Sequence, residues 1–242
     1  MKKLIYTMWI VFATFTIGCD DDDNKLPLLT PEASGTMTDK EGNEYTWVRY
    51  NGLDWMTSNL KAGTPYYELT GGLWNDPLIR IDNMEQALAD YSTYGNLYSY
   101  EAAIANQPAG WRLPTDEDWK KLEQALGMSE KTTDAVGWRG NGAGELIQQD
   151  NTGSGIHLLL GGNASMSAGN YNAVMLRQVR EYGYYWSSTV DESYTVSTAV
   201  YYRRIRANSS QIERNTATVQ ETDHTSDKYD RYMSVRYVRD AQ

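Results

Sequence analysis

A single cysteine constrains the fold of this chain more than any other feature of its sequence. Cys19 is the one thiol among 242 residues, so no disulfide can form within the chain. A lone thiolate also cannot build the cysteine-rich sites that hold structural zinc. The fold must therefore be stabilised by burial of apolar surface, and the chain is long enough to bury a sizeable core.

The residues before Cys19 are typical of an export signal. Two lysines near the start are followed by residues 4–18, which carry no charge. This stretch is shorter than the roughly 20 apolar residues that a transmembrane helix needs, which favours a cleaved signal peptide. Its end, TIGC, resembles a bacterial lipobox, in which leucine is commoner than Thr16. We expect residues 1–18 to be a lipoprotein signal peptide and Cys19 to be lipidated, with a membrane as partner.

Residues 19–31 are expected to form an acidic tether. Four consecutive aspartates follow Cys19, and adjacent like charges repel one another and stay in solvent. Pro27 and Pro31 mark the boundary with a folded domain over residues 32–242. The tether is either a plain spacer or a sorting signal, because its acids resemble the export tag of Bacteroidetes-type surface lipoproteins. The second interpretation implies an outer-membrane location that faces the cell exterior.

The net charge limits the partners of the protein. At −10, the chain is unsuited to nucleic acid, which is bound by neutralising phosphates with Lys and Arg. Tyrosine and tryptophan number 19 and 8, against 2 phenylalanines. Their rings combine apolar area with a polar group, which suits half-buried sheets and contact surfaces.

Alternating bulky residues around two turns predict a β-hairpin near the start of the domain. The stretch DKEGNEY, residues 39–45, reads as strand-turn-strand with a Gly-Asn turn. A second turn at Asn51-Gly52 precedes LDWM and strengthens the hairpin signal. Turn chemistry explains the acids of the first stretch, since a calcium loop would need further oxygen ligands and a closing bidentate glutamate.

Two helices are predicted in the first half of the chain. Asp82 is suited to cap the first one, in which Met84, Leu88 and Tyr91 share a face. The second covers residues 97–106, where the sequence EAAIA favours helix.

The stretch GWRLPTDEDW, residues 110–119, predicts the start of a third helix rather than an acidic active site. Thr115 is a good N-cap with Asp118 three residues later, and the other acids fall in the first turn, where the helix dipole favours carboxylates by about 0.3–1 kcal/mol each. No catalytic carboxylate is needed to explain the motif. The predicted apolar face is Trp119, Leu122 and Leu126, and the predicted outward face is Lys120, Lys121, Glu123 and Gln124.

Beyond Gly127 the sequence predicts little helix. Residues 137–170 are rich in glycine and read as long ordered loops with short strands, and residues 62–82 form another loop-rich segment. Loops of this length in a compact domain are usually functional or disordered. Helices near the front and strands at both ends predict a single α+β domain. The predicted late strands are residues 183–189, 199–205, 211–214 and 233–238.

Six segments resemble, in order, the Fibrobacter succinogenes major paralogous domain, a family of bacterial surface and exported proteins. They are DKEGNEY, NGLDWMTSNLK, YGNLYSYEAA, PAGWRLPTDEDWKKLEQALG, GYYWSST and SVRYVRD, and they span residues 39–240. WRLPT before a helical tryptophan is also similar to the C-type-lectin-like and formylglycine-generating-enzyme-like superfold. The resemblance implies one C-type-lectin-like domain, with a twisted, mostly antiparallel sheet, two or three helices and long ordered loops. It implies no activity.

The resemblance also implies a pair of neighbouring positions. Many members of the family carry cysteine where this chain has Gln107 and Tyr237. If those cysteines pair in the relatives, the Cα atoms of Gln107 and Tyr237 lie within about 7 Å of each other.

The favoured function is non-catalytic binding of a glycan or a protein through the loops. Trp74 and Trp138 lie in loop-like contexts and are the candidate ligand-binding residues; no catalytic residue, metal ligand or cofactor is expected. A structural subunit of a surface assembly is the alternative, which a large exposed apolar patch would favour. The tryptophans in patterned segments are expected in the core: Trp47, Trp55, Trp111, Trp119 and Trp186.

An enzyme is the remaining alternative. An oxidase resembling the formylglycine-generating enzyme needs paired thiols, which a chain with Cys19 alone does not have. A hydrolase needs a nucleophile beside a base, but His157 and His224 are far apart in sequence. Ser187-Ser188 lacks the glycine elbow that exposes a nucleophilic serine. We therefore do not expect an enzyme.

Overall fold

The computed structural model describes residues 29–68, 84–148, 153–167, 174–222 and 228–242. Within these ranges the fold is α+β, as the sequence predicts. The strands are β1 (Ser34–Thr38), β2 (Glu44–Tyr50), β3 (Leu53–Met56), β4 (Gly137–Arg139), β5 (Asn163–Ser167), β6 (Val174–Arg177), β7 (Tyr182–Val190), β8 (Ala199–Arg206), β9 (Ile212–Thr218), β10 (Gln220–Thr222), β11 (Lys228–Tyr232) and β12 (Val238–Asp240). The helices are α1 (Met84–Tyr94), α2 (Tyr100–Ala105), α3 (Asp116–Ala125), α4 (Glu130–Asp134) and α5 (Ala143–Gln148), with a 3-10 turn at Tyr66–Glu68. None of the helices in the described ranges is both long and apolar enough to cross a membrane.

The strands form three antiparallel sheets of four strands each, rather than one continuous sheet. Sheet one has the order β1-β2-β3-β12, sheet two β10-β11-β5-β6, and sheet three β4-β9-β8-β7. The first and last strands of the domain therefore belong to the same sheet. Sheet three brings together strands that are far apart in sequence, since β4 pairs with β9.

Both predicted turns of the N-terminal hairpins are present. Asn51 and Gly52 have φ values of 47° and 72°, the left-handed pair that a two-residue hairpin turn requires. In the preceding turn, the Asp39 carboxylate accepts hydrogen bonds from the backbone N–H groups of Glu41 and Asn43, at 2.9 and 3.0 Å. The turn chemistry expected for these acids is therefore confirmed for Asp39, whereas the Glu41 carboxylate accepts from the Gly63 N–H outside the turn.

The predicted start of helix α3 is also confirmed. The Thr115 hydroxyl accepts a hydrogen bond from the Asp118 N–H, and the Asp118 carboxylate accepts one from the Thr115 N–H. This reciprocal capping box satisfies two backbone donors that the first helical turn leaves open. The apolar face of Trp119, Leu122 and Leu126 is buried as expected.

Two large apolar clusters form the core. One contains Trp55 and Trp119, whose ring centroids are 4.7 Å apart, and the other contains Trp111 and Trp186. These four tryptophans were expected to be buried, and they are. Trp47 is only half-buried and packs against the second cluster from outside, so its assignment to the core was wrong.

Two details of the helices differ from the predictions. Little helix lies beyond Gly127 in the described residues, as expected, but the short helices α4 and α5 were not predicted, because five- and six-residue helices are too short to show apolar periodicity. Gly144 lets α5 approach the chain closely, since a Cβ there would lie 2.4 Å from the Gln211 carbonyl oxygen. In α1, Leu88 is 46% exposed while Ala87 is buried, so the buried face is rotated from the predicted one.

Among the late strands, three predictions match and one does not. Strands β7 and β8 cover their predicted segments, and β9 starts one residue later than predicted and extends to Thr218. The predicted strand at residues 233–238 is interrupted, because only Val238 belongs to a named strand, β12, while Met233 and Ser234 make isolated bridges. Strand β5 lies in the segment where short strands were expected, whereas β6, β10 and β11 were not predicted from the sequence.

Candidate binding surface

Of the two tryptophans proposed from sequence as ligand-binding residues, the structure describes Trp138. Trp74 and the lipidation candidate Cys19 lie outside the described residues, as does His224. Trp138 was expected in a loop, but it lies in strand β4 and pairs with Glu213 of β9. A three-residue strand is too short to show the alternation that marks strands in a sequence, which accounts for the error.

Pairing across sheet three places four side chains in one row. Trp138 lies opposite Glu213, and Glu213 lies opposite Arg204. Arg204 in turn lies opposite Tyr184. Directly opposed residues share a face of the sheet, and so do residues two positions apart on one strand. The resulting set is named here the aromatic–arginine surface: Trp138, Tyr182, Tyr184, Arg204, Arg206 and Glu213.

Both arginines of this surface lie against aromatic rings. The Cζ atom of Arg204 is 5.2 Å from the ring centroids of Trp138 and of Tyr182. The Cζ atom of Arg206 is 4.7 Å from the Trp138 centroid. Guanidinium groups at such distances are attracted to the ring faces. The half-buried rings therefore orient both cations and still leave part of their own area to solvent.

The positive charge of Arg204 is balanced by a carboxylate within the same surface. Its guanidinium forms an ion pair with the buried Glu213 carboxylate, and its Nη1 donates to the Tyr184 hydroxyl at 3.1 Å. That hydroxyl donates to Oε1 of Gln178 at 2.5 Å. Burial lowers the pKa of Arg204, but the Tyr184 hydrogen bond and the Glu213 charge together outweigh it and raise that pKa above its ordinary value. Arg204 is thus a charged, fixed scaffold for the rings.

Arg206 differs from Arg204 in its partners. It is exposed, and its side chain makes no hydrogen bond or ion pair with any residue that the structure describes. Contact with the Trp138 ring is what positions it. Its guanidinium donors therefore face solvent in an orientation that the sheet sets.

The opposite face of sheet three is fastened to helix α3 by a buried ion network: Asp116, Glu123, Arg139, Arg203 and Arg214. Arg203 donates to Asp116 and to Glu123 at 2.7 and 2.6 Å. Arg139 donates to the second oxygen of Glu123 at 2.7 Å. Glu123 is fully buried, so its prediction as an outward residue was wrong.

The network holds the Asp116 carboxylate in its charged form. Burial by itself raises the pKa of Asp116, but hydrogen bonds from Arg214 and Arg203 and the charges of both outweigh that effect. The pKa falls to about 2. Asp116 therefore has a second structural role beyond the helix dipole that the sequence suggested.

A recess of about 600 Å³ lies beside strands β1 and β2. Five hydroxyl side chains border it, together with His157, whose φ is 51°. Trp47 also borders the recess, but its indole lies over Gly35 and its Nε1 donates to the Thr36 carbonyl at 3.1 Å. The one indole at the recess is thus engaged by the backbone of the protein. The hydroxyl residues are Ser34, Thr36, Thr46, Thr57 and Ser58.

The residues weighed for catalysis occupy separate structural positions. Ser187 is fully buried, and the Ser188 hydroxyl donates to the carbonyl oxygens of Leu113 and Pro114, both at 3.4 Å. His157 lies at the recess beside sheet one. Across the described ranges, no group of three or more His, Cys, Asp or Glu residues is placed to hold a metal ion.

The family resemblance implies that Gln107 and Tyr237 are close in space, and the structure shows a contact between the segments that contain them. The Tyr237 hydroxyl donates to the Ala103 carbonyl at 2.7 Å. Ala103 belongs to α2, which ends just before Gln107. The two segments therefore pack together, while the 7 Å separation of the two Cα atoms stays a prediction.

Comparison with known proteins gives one match. A family model described as the Fibrobacter succinogenes major domain matches residues 48–239. No curated protein and no solved structure matches the chain. The C-type-lectin-like architecture therefore stays a prediction, whereas the α+β class is observed.

Proposed function

The chain belongs to the Fibrobacter succinogenes major domain family, and from this premise we propose that it is a non-catalytic cell-surface lipoprotein that binds a saccharide. The binding site is the aromatic–arginine surface. Family membership supplies a domain type without an assigned activity, so the proposal rests on the chemistry of this surface.

The observation that carries the proposal is the arrangement of Trp138, Tyr182 and Arg206 on one face of sheet three. Two half-buried rings, with centroids 6.4 Å apart, offer apolar area to the C–H faces of a sugar, and an oriented guanidinium offers hydrogen-bond donors to its oxygens. Binding sites commonly combine apolar area with a few placed polar groups.

The recess beside sheet one is the weaker site for a saccharide. Its indole, Trp47, is engaged by Gly35 and Thr36, and the hydroxyls of Thr46 and Thr57 are hydrogen-bonded to each other. These groups would have to give up contacts within the protein before they could contact a ligand.

Anchoring through Cys19 is part of the same proposal. Removal of residues 1–18 would leave a lipidated Cys19 at the start of the acidic tether, residues 19–31. This tether would hold the domain away from the outer membrane, on the exterior side of the cell. One lipid-bearing residue and a solvated tether leave the aromatic–arginine surface accessible. Replacement of Cys19 by serine is expected to abolish labelling with a fatty-acid probe and to shift the protein from the detergent phase to the aqueous phase.

A glycan array tests the binding proposal. The purified mature lipoprotein in detergent is expected to bind at least one saccharide class, and Trp138→Ala is expected to reduce that signal by about tenfold or more. Tyr194→Ala is the matched control, because Tyr194 is 49% exposed in the loop between β7 and β8. Absence of any bound saccharide, or equal loss in both variants, would contradict the proposal.

A second candidate, a structural subunit of a surface assembly, is favoured by one observation. Val196 is 96% exposed and Tyr194 is 49% exposed in the same loop, and exposed apolar residues favour protein contacts. Crosslinking on intact cells tests this candidate. Loss of a specific crosslinked species in the double variant Tyr194→Ser, Val196→Ser, with retention in Trp138→Ala, would support it over saccharide binding.

A further inference from the structure

Almost all arginines that the structure describes have acceptors within the protein. Every arginine that the structure describes, apart from Arg206 and Arg236, forms an ion pair with a carboxylate. Arg236 donates to three backbone carbonyls and to the Asn59 side chain. The Arg206 side chain makes no hydrogen bond or ion pair with any described residue. Among the arginines that the structure describes, Arg206 is thus the one oriented guanidinium without an acceptor in the described residues.

The carboxylate of the aromatic–arginine surface is not available to Arg206 either. The acid of the same surface, Glu213, is 5% exposed and ion-paired with Arg204. The nearest ring, Trp138, lies 4.7 Å from the Arg206 Cζ atom and holds the guanidinium against its face. A guanidinium presents its N–H donors as a planar fork, which matches the two oxygens of a carboxylate or sulfate group.

We infer that the ligand of the aromatic–arginine surface is an anionic saccharide, whose carboxylate or sulfate group is bound by Arg206 while its ring packs on Trp138 and Tyr182. This inference rests on the proposed saccharide-binding function and adds the chemical class of the ligand. Arg204 acts as a positioning residue, because its charge is taken up by Glu213.

The charge of the whole protein limits the form of the ligand. At −10, the chain repels a long polyanion, whereas a charge on Arg206 acts mainly within a Debye length of about 8 Å at physiological salt. A short or sparsely charged saccharide fits this local attraction. Binding is therefore expected to weaken as salt is raised, and to depend on one anionic group rather than on many.

Calorimetric titration of the mature lipoprotein with three probes tests the inference. The probes are a galacturonic acid trisaccharide, a sulfated galactose trisaccharide and the neutral galactose trisaccharide. At least one anionic probe is expected to bind about tenfold or more tightly than the neutral one. Which anionic probe is preferred distinguishes a carboxylate ligand from a sulfate ligand.

Two variants identify the residue responsible. Arg206→Gln is expected to weaken binding of the anionic probe by about tenfold and to leave the affinity for the neutral probe unchanged. Lys40→Gln is the charge-matched control, since Lys40 is exposed in the turn between β1 and β2, and it is expected to bind like the unaltered protein. An unchanged melting temperature of Arg206→Gln excludes misfolding as the cause.

The outcomes separate the inference from the proposed function. Equal binding of the neutral and anionic probes, lost in Trp138→Ala but retained in Arg206→Gln, would overturn the inference and leave saccharide binding intact. Loss of anionic binding in Lys40→Gln as much as in Arg206→Gln would also overturn it. No binding of any probe, together with an empty glycan array, would overturn both.

Discussion

Arg214 donates to both carboxylate oxygens of Asp116, through Nε at 3.0 Å and Nη2 at 2.7 Å, although 98 residues separate the two in sequence. Asp116 begins helix α3 and Arg214 lies in strand β9, so this bidentate pair fastens the helix to sheet three. Bidentate pairs of this kind fix geometry as well as charge. The other face of the same sheet carries the aromatic–arginine surface, which is therefore built on a rigid support.

Replacement of Asp116 by asparagine is expected to destabilise the fold strongly. It removes the negative charge that pairs with Arg203 and Arg214 and leaves the buried Arg214 without a carboxylate partner among the described residues, which costs about 3–5 kcal/mol. Urea denaturation measures the change. Glu117→Gln is the control, because Glu117 is 64% exposed in the same helical turn and is expected to change stability by less than about 0.5 kcal/mol. Equal effects of the two substitutions would show that the network is not important for stability.

The pKa of Asp116 predicts a particular pH dependence. In the folded state it is about 2, below the ordinary value of 3.8. The stabilisation from the charged carboxylate is thus fully present above pH 4 or so and is lost as the pH falls toward about 2, by roughly 2 kcal/mol. Denaturation of the unaltered protein and of Asp116→Asn between pH 7 and pH 2 should show their difference narrowing by about that amount. A constant difference would refute the assignment.

The edge of sheet one depends on the absence of a side chain at Gly35. A Cβ there would lie 2.5 Å from the Trp47 ring, so Gly35→Ala must displace the indole and its hydrogen bond to the Thr36 carbonyl. Such overpacking typically costs about 1–3 kcal/mol. Ser34→Ala, an exposed position on the same strand, is expected to be nearly neutral. The prediction fails if both substitutions shift the urea midpoint equally.

Arg236 is expected to be essential for folding because of what it joins. It donates to the carbonyls of Met56, Ile156 and His157, and to Asn59, while burial lowers its pKa to about 10. Arg236→Met would leave these acceptors without donors and cost more than about 3 kcal/mol. The same measurement on a variant of the exposed Arg206 should give less than about 0.5 kcal/mol. A mild effect of Arg236→Met would contradict this role.

Structure could be predicted from the sequence where the residues that interact are close neighbours along the chain. The capping box of Thr115 and Asp118 joins residues three positions apart, so the sequence contains all of its determinants. The same holds for the Asn51-Gly52 turn. The α+β class and the family could also be predicted, because ordered motifs along the chain reflect these local elements.

Long-range pairing could not be predicted in this way. In the sequence, Glu123 looks like a surface residue of an amphipathic helix. In the structure it is buried, because it forms an ion pair with Arg203, 80 residues later. Trp138 looks like a loop residue until β4 pairs with β9. The clustering of Arg204 and Arg206 with this ring depends on the order of strands in sheet three, which a single sequence does not contain.

The most direct test of saccharide recognition is a titration of ¹⁵N-labelled protein followed through the indole N–H resonances. The account predicts that the Trp138 resonance shifts with increasing anionic saccharide, while those of the buried Trp55, Trp119 and Trp186 stay in place. Saturation with ligand without movement of the Trp138 resonance would contradict the account.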